Sequence, residues 1–79
     1  MSVLPADDDY AHSVLTIFRF RRLHARQTLR LEDVRADFLL RRYGYDFDFS
    51  AGLDFALESG WLTREGDRLR LSERGDAEV

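Results

Sequence analysis

Near the C-terminus, Trp61-Leu62-Thr63-Arg64 and Arg68-Leu69-Arg70-Leu71 alternate apolar with polar side chains on either side of Glu65-Gly66-Asp67. Two such runs around a glycine-containing turn specify a β-hairpin, and so a fold that contains sheet. Trp61 is placed to anchor that hairpin on the rest of the chain. The chain has 79 residues and no cysteine. At that length a single domain buries only about 60–65% of the surface its unfolded chain exposes. The core is therefore small, and no disulfide or thiolate-bound metal reinforces it. The lack of cysteine fits a reducing cytoplasm, the expected location. No apolar run exceeds three residues (Phe38-Leu39-Leu40 and Phe55-Ala56-Leu57), so no membrane span is expected. The opening Met1-Ser2-Val3-Leu4-Pro5-Ala6 runs straight into Asp7-Asp8-Asp9, without the basic and apolar regions of a signal peptide.

Upstream of the hairpin the spacing predicts helices. Residues 1–8 read as a flexible arm. Asp8 or Asp9 is suited to cap a first helix, because a carboxylate accepts the free N–H groups of a first turn. Tyr10, Val14, Ile17/Phe18 and Arg21 follow at helical spacing, and this helix is expected to reach about Leu23. His24 to Gln27 read as a connector, and Thr28-Leu29-Arg30-Leu31 as one short strand. Glu32 and Asp33 put two negative charges in the first turn of a second helix, with a period set by Val34, Phe38 and Leu39 or Arg42. Gly44 is expected to supply its left-handed end. Tyr43, Tyr45, Phe47 and Phe49 alternate with Gly or Asp, which is strand-like. Asp46 or Asp48 is equally suited to cap a third helix carrying Phe49, Leu53, Ala56 and Leu57 and ended by Gly60, and the helix is preferred. Ser72 to Gly75 close the second hairpin strand. The domain then spans residues 9–75, and residues 76–79 form a tail that frays.

The net charge of −3 conceals a strong segregation. From Tyr10 to Leu31 there is no acid, but there are Arg19, Arg21, Arg22, Arg26 and Arg30. From Tyr43 to Gly60 there is no base, only Asp46, Asp48, Asp54 and Glu58. All 12 basic residues are arginine. Arginine is the better bidentate partner for phosphate and carboxylate, although an all-arginine set also follows from genomic base composition, which carries more weight.

The order of helix, short strand, helix, turn, helix and hairpin resembles that of winged helix-turn-helix domains. Leu29-Arg30-Leu31-Glu32-Asp33-Val34 is similar to the family's entry into its second helix. Leu53-Asp54-Phe55-Ala56-Leu57-Glu58-Ser59-Gly60-Trp61-Leu62 is similar to the end of its third helix, leading into the wing. Arg68-Leu69-Arg70-Leu71-Ser72-Glu73-Arg74-Gly75 resembles the return strand and following turn of many bacterial regulators. The resemblance covers residues 10–75. It implies an α+β fold, a winged helix-turn-helix of three helices with a short strand and a C-terminal β-hairpin wing. Two departures stand out. Arg30 occupies the place of the usual Ser or Thr cap, a loss of about 1 kcal/mol to the second helix. The third helix of a DNA-reading member carries Arg, Asn or Gln toward base edges; here the corresponding positions are Ser50, Ala51, Asp54, Glu58 and Ser59. Carboxylates facing phosphate are unfavourable.

The residues support two functional readings. In the first, the chain is a nucleic-acid-associated regulator. Arg19, Arg21, Arg22, Arg26 and Arg30 hold the phosphates of double-stranded DNA, assisted by Arg64, Arg68 and Arg70 on the wing. Such contact is weakly sequence-selective and sensitive to salt. It requires guanidinium groups that are exposed, unpartnered and gathered on one patch. A solvated face, whose arginines cover core edges and pair with nearby carboxylates, explains the same charges equally well. In the second reading the domain is a protein-interaction module acting through Tyr45, Phe47, Asp54 and Glu58. Most of the Tyr43–Phe49 rings then fill the core, leaving one or two as an apolar patch rimmed by acids for a basic or apolar partner. A base-stacking platform sits in a positive groove, which these acids deny. The resemblance places the first reading ahead, while the acidic third helix favours the second. A monomer or weak homodimer is expected.

Asp46-x-Asp48-x-Ser50 opens like a calcium loop, but Gly52 and Glu58 each fall one residue late, so the coordination shell is incomplete. His12 and Ser13 are neighbours on a helix, so their side chains diverge and form no base–nucleophile pair. His24, in a basic loop, reads as a surface residue. No catalytic residue, metal or cofactor is expected, and the chain reads as a non-enzyme.

Overall fold

Among residues 6–78, which the computed structural model describes, seven elements follow one another: α1 (Asp7–Phe20), β1 (Thr28–Arg30), α2 (Leu31–Leu40), α3 (Asp46–Glu58), β2 (Leu62–Glu65), β3 (Arg68–Leu71) and α4 (Glu73–Glu78). The class is α+β, with four helices among these residues where three were expected. Residues 1–5 of the expected arm and Val79 of the expected tail lie outside the described residues.

A helix leaves its first N–H groups without partners, and α1 and α3 meet this in the same way. Asp9 and Asp48, each at the third helical position, reach back to accept the N–H groups of Ala6 (3.0 Å) and Tyr45 (2.8 Å). The capping residues are thus Ala6 and Tyr45, not Asp8 or Asp9 and not Asp46 or Asp48. The carboxylates act from inside the first turn, as one half of a capping box, where negative charge also suits the helix dipole. α2 starts on Arg30, which offers no side-chain cap, as the sequence implied.

The three longer helices end alike. Leu23 donates to the Phe18 carbonyl and Arg22 to Arg19; Tyr43 donates to Phe38 and Arg42 to Leu39; Trp61 donates to Ala56 and Gly60 to Leu57. Each pair of bonds makes a Schellman motif, which requires one residue in the left-handed region. Gly60 takes that role in α3 with φ 77, but in α1 and α2 it falls to Arg22 (φ 60) and Arg42 (φ 58). A side chain held there costs about 1–2 kcal/mol. α1 therefore stops at Phe20, short of Leu23, and Arg42 rather than Gly44 turns the chain out of α2. Gly44 serves closeness instead: a Cβ there would lie 2.8 Å from the Asp48 Cβ.

Residues 46–58 are helical, and the strand-like alternation before them is not used. α3 buries Phe49, Leu53 and Ala56 against Ala11, Val14, Leu15 and Phe18 of α1, within a core that also takes in Val34 and Phe38 of α2. The fully buried Phe38 ring sits among Phe49 (5.4 Å), Tyr43 (5.9 Å) and Tyr10 (6.4 Å). Gly52 sets how closely α1 and α3 approach, since a Cβ on it would lie 2.7 Å from the Tyr10 carbonyl carbon.

The sheet is antiparallel with strand order β1-β3-β2. Leu69 and Leu71 of β3 are buried, and Arg68 and Arg70 alternate with them on the other face. Glu65 pairs with Arg68 across the turn at Gly66 and Asp67, where Gly66 has φ 64.

The chain does not fray after Gly75; it continues as α4 to Glu78. Ser72 caps this helix by accepting the Gly75 N–H at 3.0 Å, while its hydroxyl lies 2.6 Å from the Gly60 carbonyl oxygen. Gly75 touches Trp61, and a Cβ there would come within 2.2 Å of the Trp61 carbonyl oxygen. Trp61 meets the rings of His12 (4.8 Å) and Phe55 (5.5 Å), so it holds hairpin and helices together.

Gly52→Ala is expected to lower stability by about 1–3 kcal/mol, the usual range for overpacking. Urea unfolding should show a lower midpoint with an unchanged slope. An unchanged midpoint would mean that α1 and α3 are not held at this separation.

Candidate functional site

The five arginines that the sequence assigns to phosphate are all exposed, but three of them are paired, to carboxylates on α2, on α4 and in the hairpin turn. Arg21 donates from Nε and Nη2 to Asp37 Oδ2 of α2, each at 2.9 Å, and this bond holds the guanidinium above its ordinary pKa. Arg26 donates to Glu73 Oε1 of α4 at 2.9 Å. Arg30 faces Asp67 in the hairpin turn at 3.8 Å. Arg19 and Arg22 border a shallow recess of about 290 Å³ together with Leu23, His24 and Asp76. Within this set, Arg22 alone has a side chain with no hydrogen bond or ion pair among the described residues. The expectation of unpartnered guanidinium groups on one patch therefore fails for Arg21, Arg26 and Arg30.

The hairpin arginines are committed as well. Arg70 is bound by both carboxylate oxygens of Glu65 and also donates to the Arg26 carbonyl. Arg68 donates to Thr28 Oγ1 at 3.2 Å, and Arg64 to the Gly66 carbonyl at 3.1 Å. Pairing of β1 with β3 sets Arg30 opposite Arg68, but Glu65, Asp67 and Glu73 come with them. The bonds from Arg70 hold the Glu65 carboxyl below its ordinary pKa. Arg35, donating from Nε to Asp46 Oδ1 at 2.6 Å, does the same to Asp46.

The helix start of α3 divides the aromatic alternation. Tyr43 and Phe49 turn inward to Phe38. Tyr45, just before α3, and Phe47, in its first turn, remain 73% and 72% exposed. They stack on each other with ring centroids 5.9 Å apart and planes 20° from parallel. Next to Tyr45 a groove of about 430 Å³ is lined also by Leu39, Arg42 and Gly44. At the ends of α2 and α1, Leu40 is 80% exposed and Phe20 63% exposed, with the Arg41 guanidinium carbon 3.9 Å above the Phe20 ring. That stacking is a cation–π contact, and it ties the two helix ends together.

Asp54 and Glu58 are exposed and fall on the same stripe of α3 as Asp46 and Ser50, at four-residue spacing. The sequence thus named Tyr45, Phe47, Asp54 and Glu58 but not Phe20, Leu39, Leu40, Arg41 and Arg42 as surface. A signal existed: Phe20 and Leu40 lie two residues beyond the core residues Phe18 and Phe38, and such a step points to the far side of a helix.

His12 Nδ1 lies 2.7 Å from the Asp8 carbonyl oxygen and Nε2 3.8 Å from Glu78 Oε1, while Ser13 Oγ donates to the Asp9 carbonyl at 3.1 Å. Among the described residues no three His, Cys, Asp or Glu side chains are grouped to hold a metal ion, and no helix is long and apolar enough to cross a membrane. Comparison with protein-family models, with curated proteins and with solved structures finds no match for the chain. Fold and site together define a small α+β domain with an exposed aromatic edge.

The ion pairs carry an acid-range expectation. A carboxyl with a depressed pKa in the folded state adds stability above its ordinary value, and that contribution is lost as pH falls through the depressed value. Carboxyl-detected NMR should show Asp46 and Glu65 titrating below their ordinary values. Arg35→Ala should return Asp46 to its ordinary value and leave Glu65 unmoved. An Asp46 titration that ignores Arg35→Ala would mean that this pair does not persist in solution.

Proposed function

We propose that the chain is a small protein-interaction module of winged-helix topology, meeting its partner through the aromatic edge of Tyr45 and Phe47, bordered by Asp54 and Glu58. Support for the topology comes from the element order and from the short β1 that pairs with the hairpin. The observation that carries the function is the Tyr45–Phe47 pair, two rings nearly three-quarters exposed and stacked on each other rather than on the core. Leaving a large apolar side chain in water forgoes about 1.5–3 kcal/mol of burial. Grouped apolar side chains on a surface mark interaction sites, and aromatic residues dominate the centres of protein interfaces.

The electrostatics agree. The helix that would enter a DNA groove presents only carboxylates and hydroxyls along its exposed stripe, and most arginines of the basic segment already hold carboxylates. A second reading, backbone contact with double-stranded DNA, draws on Arg22 and the recess that it shares with Arg19 and His24. Exposed ion pairs are weak, so phosphate can displace a carboxylate from Arg21 or Arg26.

Affinity capture from the cells that make the protein separates the two. Tyr45→Ala with Phe47→Ala, both at exposed positions, is expected to lose a partner that the wild type and Arg21→Glu with Arg22→Glu both retain. A partner kept by the aromatic variant and lost by the arginine variant would move the function to the basic face.

A further inference from the structure

We infer that the groove at the end of α2 receives an acidic, apolar peptide segment of a partner protein, with a carboxylate on Arg42 and an apolar side chain against Leu39 and Tyr45. This rests on the reading of the chain as a protein-interaction module, and it names the chemistry of the partner.

The groove is half open and measures about 430 Å³, within the range of ligand-binding clefts. Two of its walls are apolar, and its cation is uncompensated. Arg42 is exposed, and its side chain has no hydrogen bond or ion pair among the described residues. The acids nearest in sequence are each engaged: Asp46 with Arg35 at 2.6 Å, Asp37 with Arg21 at 2.9 Å and Asp48 with the Tyr45 N–H at 2.8 Å. Arg41, the next residue back, lies over the Phe20 ring, and its buried Nε has no hydrogen-bond partner among the described residues. The end of α2 thus holds two adjacent arginines that pair with no carboxylate among the described residues, between the exposed Leu39, Leu40 and Tyr45; the nearby Asp48 carboxylate is turned to the Tyr45 N–H. An arginine fork matches a carboxylate in shape and charge. Asp54 and Glu58 lie farther along α3 from Tyr45, so an acidic segment is repelled there and drawn to Arg42 and its neighbour Arg41. A basic segment finds the reverse at the groove, where Arg42 repels it.

The backbone makes the inference testable without confusion from misfolding. Arg42 sits at φ 58, a conformation that glycine adopts without strain. Arg42→Gly should therefore strengthen the fold while weakening the site.

The experiment is a fluorescence anisotropy titration of the full chain. The probe is a fluorescein-labelled peptide in which Glu alternates with Leu and Phe, with Gln-for-Glu and Lys-for-Glu versions alongside. The Glu peptide is expected to bind saturably and about tenfold more tightly than the Gln version, the effect of one charge-assisted bond. Arg42→Gly should raise the urea midpoint and reduce Glu-peptide affinity about tenfold, to the level of the Gln peptide. Tyr45→Ala should weaken all binding. Equal binding of Glu and Gln peptides, full affinity in Arg42→Gly, or no binding of the Glu peptide overturns the inference. Tyr45-dependent binding of the Lys peptide instead would overturn the acidic partner and leave the interaction module standing. Failure of every peptide, joined by a captured partner indifferent to Tyr45 and Phe47, would remove both.

Discussion

The approach of α1 to α3 governs the rest of this molecule. With no side chain on Gly52, the backbone of Tyr10 comes to within a distance that any Cβ would forbid. That closeness presses Phe49, Leu53 and Ala56 onto α1 and leaves room for Phe38 of α2 as the central ring of the core. Once one side of α3 is fixed inward, its other side is fixed outward. Asp46, Ser50, Asp54 and Glu58 then face water, and Tyr45 and Phe47 at the helix start have nowhere inside to go. The aromatic edge is thus a consequence of core packing as much as a feature beside it.

Helix ends carry what the small core cannot. α1 and α2 close on arginines in a left-handed conformation where glycine would be unstrained, and Gly60 shows the same motif filled in the relaxed way. A cation near the C-terminal end of a helix gains from the dipole, an effect comparable at best with the strain. Stability alone therefore gives little reason for arginine at Arg42, and its place on the wall of a groove between apolar side chains gives another. If Arg42 binds as proposed, its stability cost is the trade common at binding positions.

Much of this was readable in the residues. The hairpin was, because alternation around Glu65-Gly66-Asp67 has one simple solution, and α3 was, because Phe49, Leu53 and Ala56 fit a helical period that the aromatic alternation could not extend. α4 was not, since it depends on Ser72 and on Gly75 fitting against the Trp61 backbone, a contact made only in three dimensions. Nor were the left-handed arginines, because a rule that looks for glycine at a helix end points to Gly44. The charge pattern misled for a related reason. A run of residues without acids looks uncommitted, but Glu73 reaches Arg26 across 47 positions and Asp37 reaches Arg21 across 16. Tyr45 and Phe47 were visible as candidates, whereas Phe20, Leu40, Arg41 and Arg42 were not, because periodicity marks the buried stripe of a helix and says little about which exposed residues meet.

The central claim is that the basic segment is largely satisfied within the fold and that the working surface lies at the aromatic edge. Titrating the isotope-labelled protein with random duplex DNA, at low and then at moderate salt, and following backbone amide shifts tests this directly. At moderate salt the shifts should vanish, with no saturable binding. Saturable binding that survives moderate salt, with shifts gathered on Arg19–Arg30 and Arg64–Arg70, would contradict it.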